Sequence, residues 1–348
     1  MTTAMDPKDS NYIITTTEDE LKEGLFGQIV LFIFEILPYL YSKGIFPGWD
    51  IKSKFYGIAP DYKVVPGAFD LAYIPENNPS DKMPLKKLRA KHVSVLGNDW
   101  HYMHKLWNAY FKIPDSVINK ADSIGDLSNS LGIHYRGTDK NLTDIDTNSV
   151  THEEFILLVK DFIRTHPGVS SIFIATDEYE FVKKAELAFP AYKIINAGEV
   201  TFHLNKAEST EKADRAVFDC LLLSRCKYLI KSSSALSGFA KVLNADLECY
   251  RVAASKFFAD IPYFPDAYID RLTSNDPECS IILERLFKDD WLQNKRAAKF
   301  HQITFTTQKR YKYPLFIRKP VDLVKKYKKL LVMKVKTSRR FKLRSFIA

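Results

Sequence analysis

Leu131-Gly-Ile-His-Tyr-Arg136 and Ser171-Ile-Phe-Ile-Ala-Thr176 are short, mostly apolar runs that each close on polar side chains. Between them, Thr151 to His166 carries apolar residues at helical spacing. Thr151 with Glu154 three positions on has the form of a capping box. Strand, helix, strand is the unit of a parallel sheet, and the pattern continues downstream. Helices are expected over Glu178–Phe189, Thr210–Arg225 and Ala235–Asn244, and strands over Tyr192–Ile195, Tyr228–Lys231 and Leu247–Val252. Short strands alternating with helices predict an α/β fold with right-handed crossovers.

Working outward, the N-terminal side is less regular. The first ~20 residues read as a loose polar leader, and Ile29–Tyr41 as a buried helix stopped near Pro38 or Gly44. Prolines 60, 66, 75, 79 and 84 punctuate a loop-rich region before more helical pattern at 85–111, and 113–129 reads as a connector. Three domains are expected: 1–125 on the acceptor side, 126–275 binding a nucleotide, and a C-terminal helical segment with a basic tail over 276–348. The apolar run 29–41 holds Glu35 and Pro38 and is shorter than the about 20 residues of a membrane span. Met1–Glu23 lacks the basic start and apolar core of a secretory signal, so neither a spanning segment nor a secretory signal is expected. Four cysteines without a CxxC pair argue against a disulfide scaffold or zinc ribbon and suit a reducing, cytoplasmic compartment.

In an open parallel sheet, ligands bind beyond the carboxyl ends of the strands. The polar residues there are His134, Arg136, Thr138, Asp139 and Lys140, then Thr176 and Asp177, then Ser232, Ser233 and Ser234 at the start of a helix. Three serines at a helix N-terminus form an anion site or simply cap the helix. Asp177 is a cap or a ligand contact, His134 a core histidine or a site residue, and Arg136 a diphosphate clamp or a surface pair. Their convergence on one sheet edge favours a phosphorylated ligand. Asp99, His101 and His104 lack a third nitrogen ligand at suitable spacing, so no metal is expected. The absence of GxGxxG after a strand, of GxxxxGK[ST] and of GxSxG argues against the usual NAD(P), P-loop and α/β-hydrolase chemistries.

The run Leu131-Gly-Ile-His-Tyr-Arg-Gly-Thr-Asp-Lys140 resembles the His-x-Arg-x-x-Asp motif of GDP-fucose-dependent fucosyltransferases, most closely the α-1,6 group that includes the nodulation enzymes. Ile172–Asp177 resembles that family's strand ending in Ala-Thr-Asp. Asp219-Cys-Leu-Leu-Leu-Ser224, with Tyr228–Ser234, resembles its Asp-x-x-x-Leu-Ser helix, strand and serine turn. Gly24-Leu-Phe-Gly-Gln28 resembles the Gly-x-Gly-Asn-Gln entry of related enzymes without its Asn. The resemblance implies a GT-B-like architecture of two facing Rossmann-like domains. It also implies inverting, metal-independent transfer of L-fucose from GDP-fucose, with no cofactor. By the same carry-over, Arg136 stabilises departing GDP, His134 contacts the nucleotide, Asp219 helps hold guanine, and Ser232–Ser234 bracket the diphosphate. A base must take the acceptor hydroxyl's proton. The family places an acid eight positions after the motif arginine, here Asp144, near the motif lysine Lys140; Asp139 and Asp146 compete for the role.

Charge divides the chain. Residues 309–348 hold fifteen Lys/Arg and one acid, a net +14, while the remaining 308 residues carry −5. Between Val321 and Val335, Leu323, Val324, Tyr327, Leu330 and Leu331 share one helical face, flanked by Lys325, Lys326, Lys328 and Lys329; Arg339 and Arg340 follow. Such a helix suits an anionic membrane surface, which predicts peripheral attachment to the inner face of the membrane. The alternatives are packing on the acidic body, or nucleic-acid binding without a recognised module. For the body, the alternatives are a transferase using another sugar nucleotide, or a non-catalytic nucleotide-sugar or glycan-binding module.

Overall fold

The structure is a computed structural model. It describes residues 8–17, 24–53, 57–58, 68–73, 81–92, 99–137, 151–198, 210–232 and 234–251. All of these lie in one unit of the chain, residues 1–305.

The alternation read from the sequence forms a five-stranded, all-parallel sheet. Its strands are β8 (Ser130–Tyr135), β9 (Ser171–Thr176), β10 (Lys193–Asn196), β11 (Tyr228–Lys231) and β12 (Glu248–Arg251), in the order β10-β9-β8-β11-β12. The crossovers are α6 (His152–Thr165), α7 (Tyr179–Ala188), α8 (Thr210–Arg225) and α9 (Ala235–Leu243). Expected and observed bounds agree to a residue or so because apolar runs and helical periodicity are local signals. The α/β class is borne out.

Alternate residues of the strands feed two cores. Leu131, Ile133 and Tyr135 pack with α6 and α7, including Phe155, Val159, Phe162 and Phe181. On the opposite face, Phe173 and Leu229 pack with Val217, Phe218, Leu222 and Leu223 of α8 and with Phe239 and Val242 of α9. Gly132 also faces this side. A Cβ on it would lie 3.2 Å from both Cys226 Sγ and Leu223 Cδ2, so glycine is what lets the end of α8 close on β8.

The N-terminal part is α/β as well. Strand β1 (Lys8–Thr15) lies between β2 (Ile45–Asp50) and β6 (Asp81–Pro84) in a second parallel sheet, order β2-β1-β6. Two short antiparallel pairs accompany it: β3 (Lys52–Ser53) with β4 (Gly57–Ile58), and β5 (Asp70–Leu71) with β7 (Phe111–Lys112). This corrects the reading of the first 20 residues as a leader. Ile14 is fully buried, and pairing on both sides makes a strand of a stretch whose local composition is mostly polar.

The expected helix over 29–41 is longer and broken. A π-helical segment, Leu25–Val30, runs into α1 (Leu31–Phe34) and, after a turn, α2 (Leu37–Lys43). Pro38 does not stop this helix. It sits in the first turn of α2, where no backbone N–H is needed, and Gly44 at φ +66° ends it. Leu25–Lys43 is long and apolar enough to cross a membrane by length and composition. In this fold Ile29, Val30, Ile33, Phe34, Ile36, Leu37 and Leu40 are buried core residues. Glu35, the acid in that run, accepts from Arg89 Nε (2.8 Å) and Nη2 (2.7 Å) on α3 (Leu85–His92), whose guanidinium also covers the Phe32 ring at 3.3 Å.

The remaining helical pattern is α3 and α4 (Trp100–Tyr110), and the expected connector holds α5 (Asp115–Asp122). Trp107 of α4 stacks on Phe34 (6.0 Å) and meets Phe239 of α9 edge-on (4.7 Å); Phe26 lies 5.3 Å from Phe239. The π-helical entry and α4 therefore share one aromatic core with the helix that follows the serine turn.

Candidate functional site

The order in which strands are added reverses beside β8. From β8 the chain moves to β9 and then β10 by crossovers on one face, and β11 then enters on the far side of β8 by a crossover on the opposite face. Such a switch point opens a crevice at the carboxyl ends of the two strands that flank it. Here those ends are His134–Arg136 and Lys231–Ser234. Register places Lys231 beside His134, and His134 beside Ala175.

Arg136 is held by Ser232 and Asp177. Its backbone N–H donates to Ser232 Oγ (2.9 Å), and Ser232 in turn donates its N–H (2.9 Å) and its hydroxyl (3.3 Å) to the His134 carbonyl. Asp177 accepts from the next amide, Gly137 N–H (3.1 Å), and places its other oxygen 3.9 Å from Arg136 Nε. The guanidinium is thereby aimed from a fixed backbone, which lowers the ordering cost of gripping an anion. Ser232 acts here on the backbone, and Thr176 likewise: its hydroxyl accepts from Glu178 N–H (3.1 Å).

Glu178 braces the same corner. Its carboxylate sits against Gly137, where a Cβ would clash with it, and pairs with His152 Nε2 at 2.5 Å. His152 is enclosed by the rings of Tyr135 (4.9 Å) and Phe181 (5.4 Å). Glu178, His152 and the requirement for glycine at 137 were not singled out from the sequence. Apart from Gly137's place in the motif, the sequence carried no sign of the contact.

His134 is buried, and its Nδ1 lies 2.7 Å from Ser237 Oγ in the first turn of α9. Burial, with Arg136 and Lys231 nearby, pushes the imidazole down to about 3, so the ring is neutral at pH 7. Ser237 is fully buried, another residue that sequence reasoning missed. Ser234 begins α9 with its hydroxyl buried, making no hydrogen bond to the protein and not capping the helix. A buried hydroxyl without a partner costs about 1–3 kcal/mol. It lies at the N-terminus of α9, where the first backbone amides have no intrahelical partner.

Asp219, on α8, is buried. Its Oδ1 lies 3.0 Å from Arg215 Nε one turn back. Burial raises its carboxyl to about 6 against the lowering pull of Arg215 and Lys120. Asp99, His101 and His104 each have other work: Asp99 caps α4 by accepting from Tyr102 N–H (2.9 Å), His101 lies 3.6 Å from Asp246, and His104 Nδ1 lies 2.9 Å from the Val242 carbonyl. Thr138, Asp139, Lys140, Asp144, Asp146 and Ser233 lie outside the described residues, as do Lys325, Lys326, Lys328, Lys329, Arg339 and Arg340.

Fold and site together define an α/β chain with Arg136 and a serine turn brought together at the switch point of a parallel sheet. Comparison with known proteins sharpens the class. Residues 117–237 match the family model of the α-(1,6)-fucosyltransferase N- and catalytic domains. The Drosophila melanogaster α-(1,6)-fucosyltransferase is 32% identical over 114 residues, which are 30% of this chain and 18% of that protein. The chain thus spans under a fifth of the length of this curated relative. Among solved structures, NodZ α-1,6-fucosyltransferase soaked with GDP-fucose aligns at 14% identity over 69% of this chain and 93% of its own, with a TM-score of 0.39. POFUT1 in complex with GDP-fucose aligns at 11% identity over 71% of this chain and 98% of its own, with a TM-score of 0.44. The resemblance read from the motifs is borne out over 117–237, a segment that runs from α5 through β11 and the serine turn into α9.

Proposed function

We propose that this protein is a glycosyltransferase that moves L-fucose from GDP-fucose to a hydroxyl of a glycan, with its donor diphosphate at the switch point. The observation that carries this reading is the corner itself. Arg136 is anchored through Ser232 and Asp177, and its strand pairs with β11, which leads into α9, where Ser234 keeps an unpartnered hydroxyl. A fixed cation and a helix N-terminus are what a leaving diphosphate needs, because negative charge grows there as the glycosidic bond breaks. The neutral His134 adds ring-nitrogen hydrogen bonding without a second charge. The match over 117–237 to a fucosyltransferase family supports GDP-fucose over other sugar nucleotides.

In this reading transfer is inverting and needs no metal, the positive charge at the diphosphate coming from Arg136. An acid following the motif, Asp144 or its neighbours Asp139 and Asp146, takes the acceptor proton, with Lys140 nearby. The two-domain GT-B arrangement belongs to the same proposal. So does the tail, whose lysines 325, 326, 328 and 329 and arginines 339 and 340 suit an anionic membrane surface on the cytoplasmic side, where a cell-surface or lipid-linked glycan acceptor would be met.

Calorimetric titration of GDP and of GDP-fucose into the full chain and its Arg136→Ala variant tests the donor site. Binding by the wild type that is lost in the variant is expected. A folded wild-type chain that binds neither ligand refutes the reading.

A further inference from the structure

Glu178 stands at the N-cap position of α7, where its backbone is extended at φ −126° and ψ 102°. An acidic side chain there is well placed to turn back onto the free amides of the helix, and this one does not. Its carboxylate lies against Gly137, the residue after Arg136, and pairs with Nε2 of His152, the first residue of α6 (2.5 Å). One carboxylate thus joins the end of the β8 motif to the starts of both helices that cover that face of the sheet. His152 and Glu178 are largely buried, at 13% and 19% exposure. The imidazole is shut between the rings of Phe181 and of Tyr135, the residue before Arg136.

A tie between the two helices does not by itself call for this arrangement. Glu153 and Lys184 already link α6 to α7 at 2.8 Å, with side chains 64% and 37% exposed, as an ordinary surface pair does. The buried pair differs in reaching a third element. Gly137 has the widest backbone freedom of any residue type, so the peptide that follows Arg136 depends on its surroundings to be fixed. Ser232 and Asp177 hold the amides of Arg136 and Gly137, at 2.9 and 3.1 Å, and Glu178 adds a contact against the Gly137 α-carbon. A carboxylate drawn out of water stays there only while it is hydrogen-bonded, and His152 supplies that partner. We propose that His152 is a positioning residue for the donor diphosphate: it holds the Glu178 carboxylate over Gly137, and that contact keeps Arg136 aimed. This rests on the reading above that Arg136 grips the diphosphate, and it gives a role to a residue outside every motif that carried the resemblance.

The test compares GDP with GMP, which lacks the terminal phosphate, by calorimetry on the full chain. The ratio of the two affinities reads the grip on that phosphate and is insensitive to a general loosening of the fold. Wild type should prefer GDP by about ten-fold or more, as charge-assisted hydrogen bonds to a guanidinium allow. Arg136→Ala should abolish the preference. His152→Phe fills the slot between Tyr135 and Phe181 with a ring that cannot pair with Glu178. It should cut the preference to about a third of its wild-type size or less, with GMP affinity held within about two-fold. Glu178→Ala, which leaves that slot intact, should do the same, and the two changes together should lose no more than either alone. His152→Gln, whose amide can still donate to Glu178, should recover most of the preference. A wild-type ratio in His152→Phe, or equal losses of GDP and GMP affinity, overturns the inference and leaves the pair a brace between α6 and α7, even if the variant melts at lower temperature. Should His152→Phe not fold, Glu178→Ala decides by the same criterion. An unchanged ratio in Arg136→Ala, or no binding of GDP by folded wild type, would instead overturn the diphosphate reading, and this inference with it.

Discussion

The neutrality of His134 makes a prediction about acid stability. In the fold the imidazole titrates at about 3, against 6.5 for an ordinary histidine, chiefly because it is buried, with Arg136 and Lys231 adding to the effect. Between those values the unfolded chain binds a proton that the folded chain does not, so stability contributed by this group is present above pH 6.5 and is lost as pH falls towards 3. At pH 4 the unfolded state has gained two and a half pH units of protonation at about 1.4 kcal/mol each, a loss of about 3 kcal/mol. Replacing His134 with Asn keeps a group able to reach Ser237 and removes the titration. Urea denaturation of both proteins from pH 7 to pH 4 should show wild type losing about 3 kcal/mol more than His134→Asn. Working on the difference matters because Asp219 acts in the opposite sense over part of the same range. Parallel pH profiles for the two proteins would refute the reasoning, and a histidine ring proton titrating near 6.5 at position 134 in the folded protein would do so directly.

Three further outcomes are expected. Asp219, raised to about 6 from 3.8 by burial, binds a proton in the fold that the unfolded chain has released, so it adds stability at low pH that disappears as pH rises towards 6. Asp219→Asn should remove that downward slope, worth up to about 3 kcal/mol, in the same urea series. Gly137→Ala should cost about 1–2 kcal/mol in chemical denaturation, since the new methyl displaces the Glu178 carboxylate from His152, and the cost should shrink in a Glu178→Ala background. Phe239→Ala should cost about 3–5 kcal/mol, because its ring meets Phe26, Phe69 and Trp107 at 4.7–6.0 Å; a loss below 1 kcal/mol would show that this aromatic core does not form.

Much of the candidate site was legible in the sequence because its signals are local. The sheet follows from runs such as Ile172–Ala175 and Leu229–Ile230, whose strand character needs no distant partner to recognise. Once the strands are placed, their polar ends must lie at one edge, and that alone brings Arg136, Asp177 and Ser232 together. What each does there was not legible. Ser232, read as an anion contact or a helix cap, accepts from the backbone N–H of Arg136 in the fold, and Thr176 accepts from that of Glu178. Asp9 and Ser10 made the start of the chain look like a leader, although Ile14 has strands on both sides to pair with.

By itself, then, the order of residues determined the α/β class, the succession of strands and helices from 130 to 251, and the edge on which ligand chemistry is concentrated. Apolar periodicity and capping act over a few positions and are written into any window of the chain. Tertiary structure alone decided that Ser237 meets His134 across 103 positions, that Ser232 meets Arg136 across 96, and that Glu178 closes on both Gly137 and His152. Those contacts depend on which strand enters beside β8 and on which face each crossover lies. That choice is made by burying two separate apolar faces at once, which no single stretch of sequence can express.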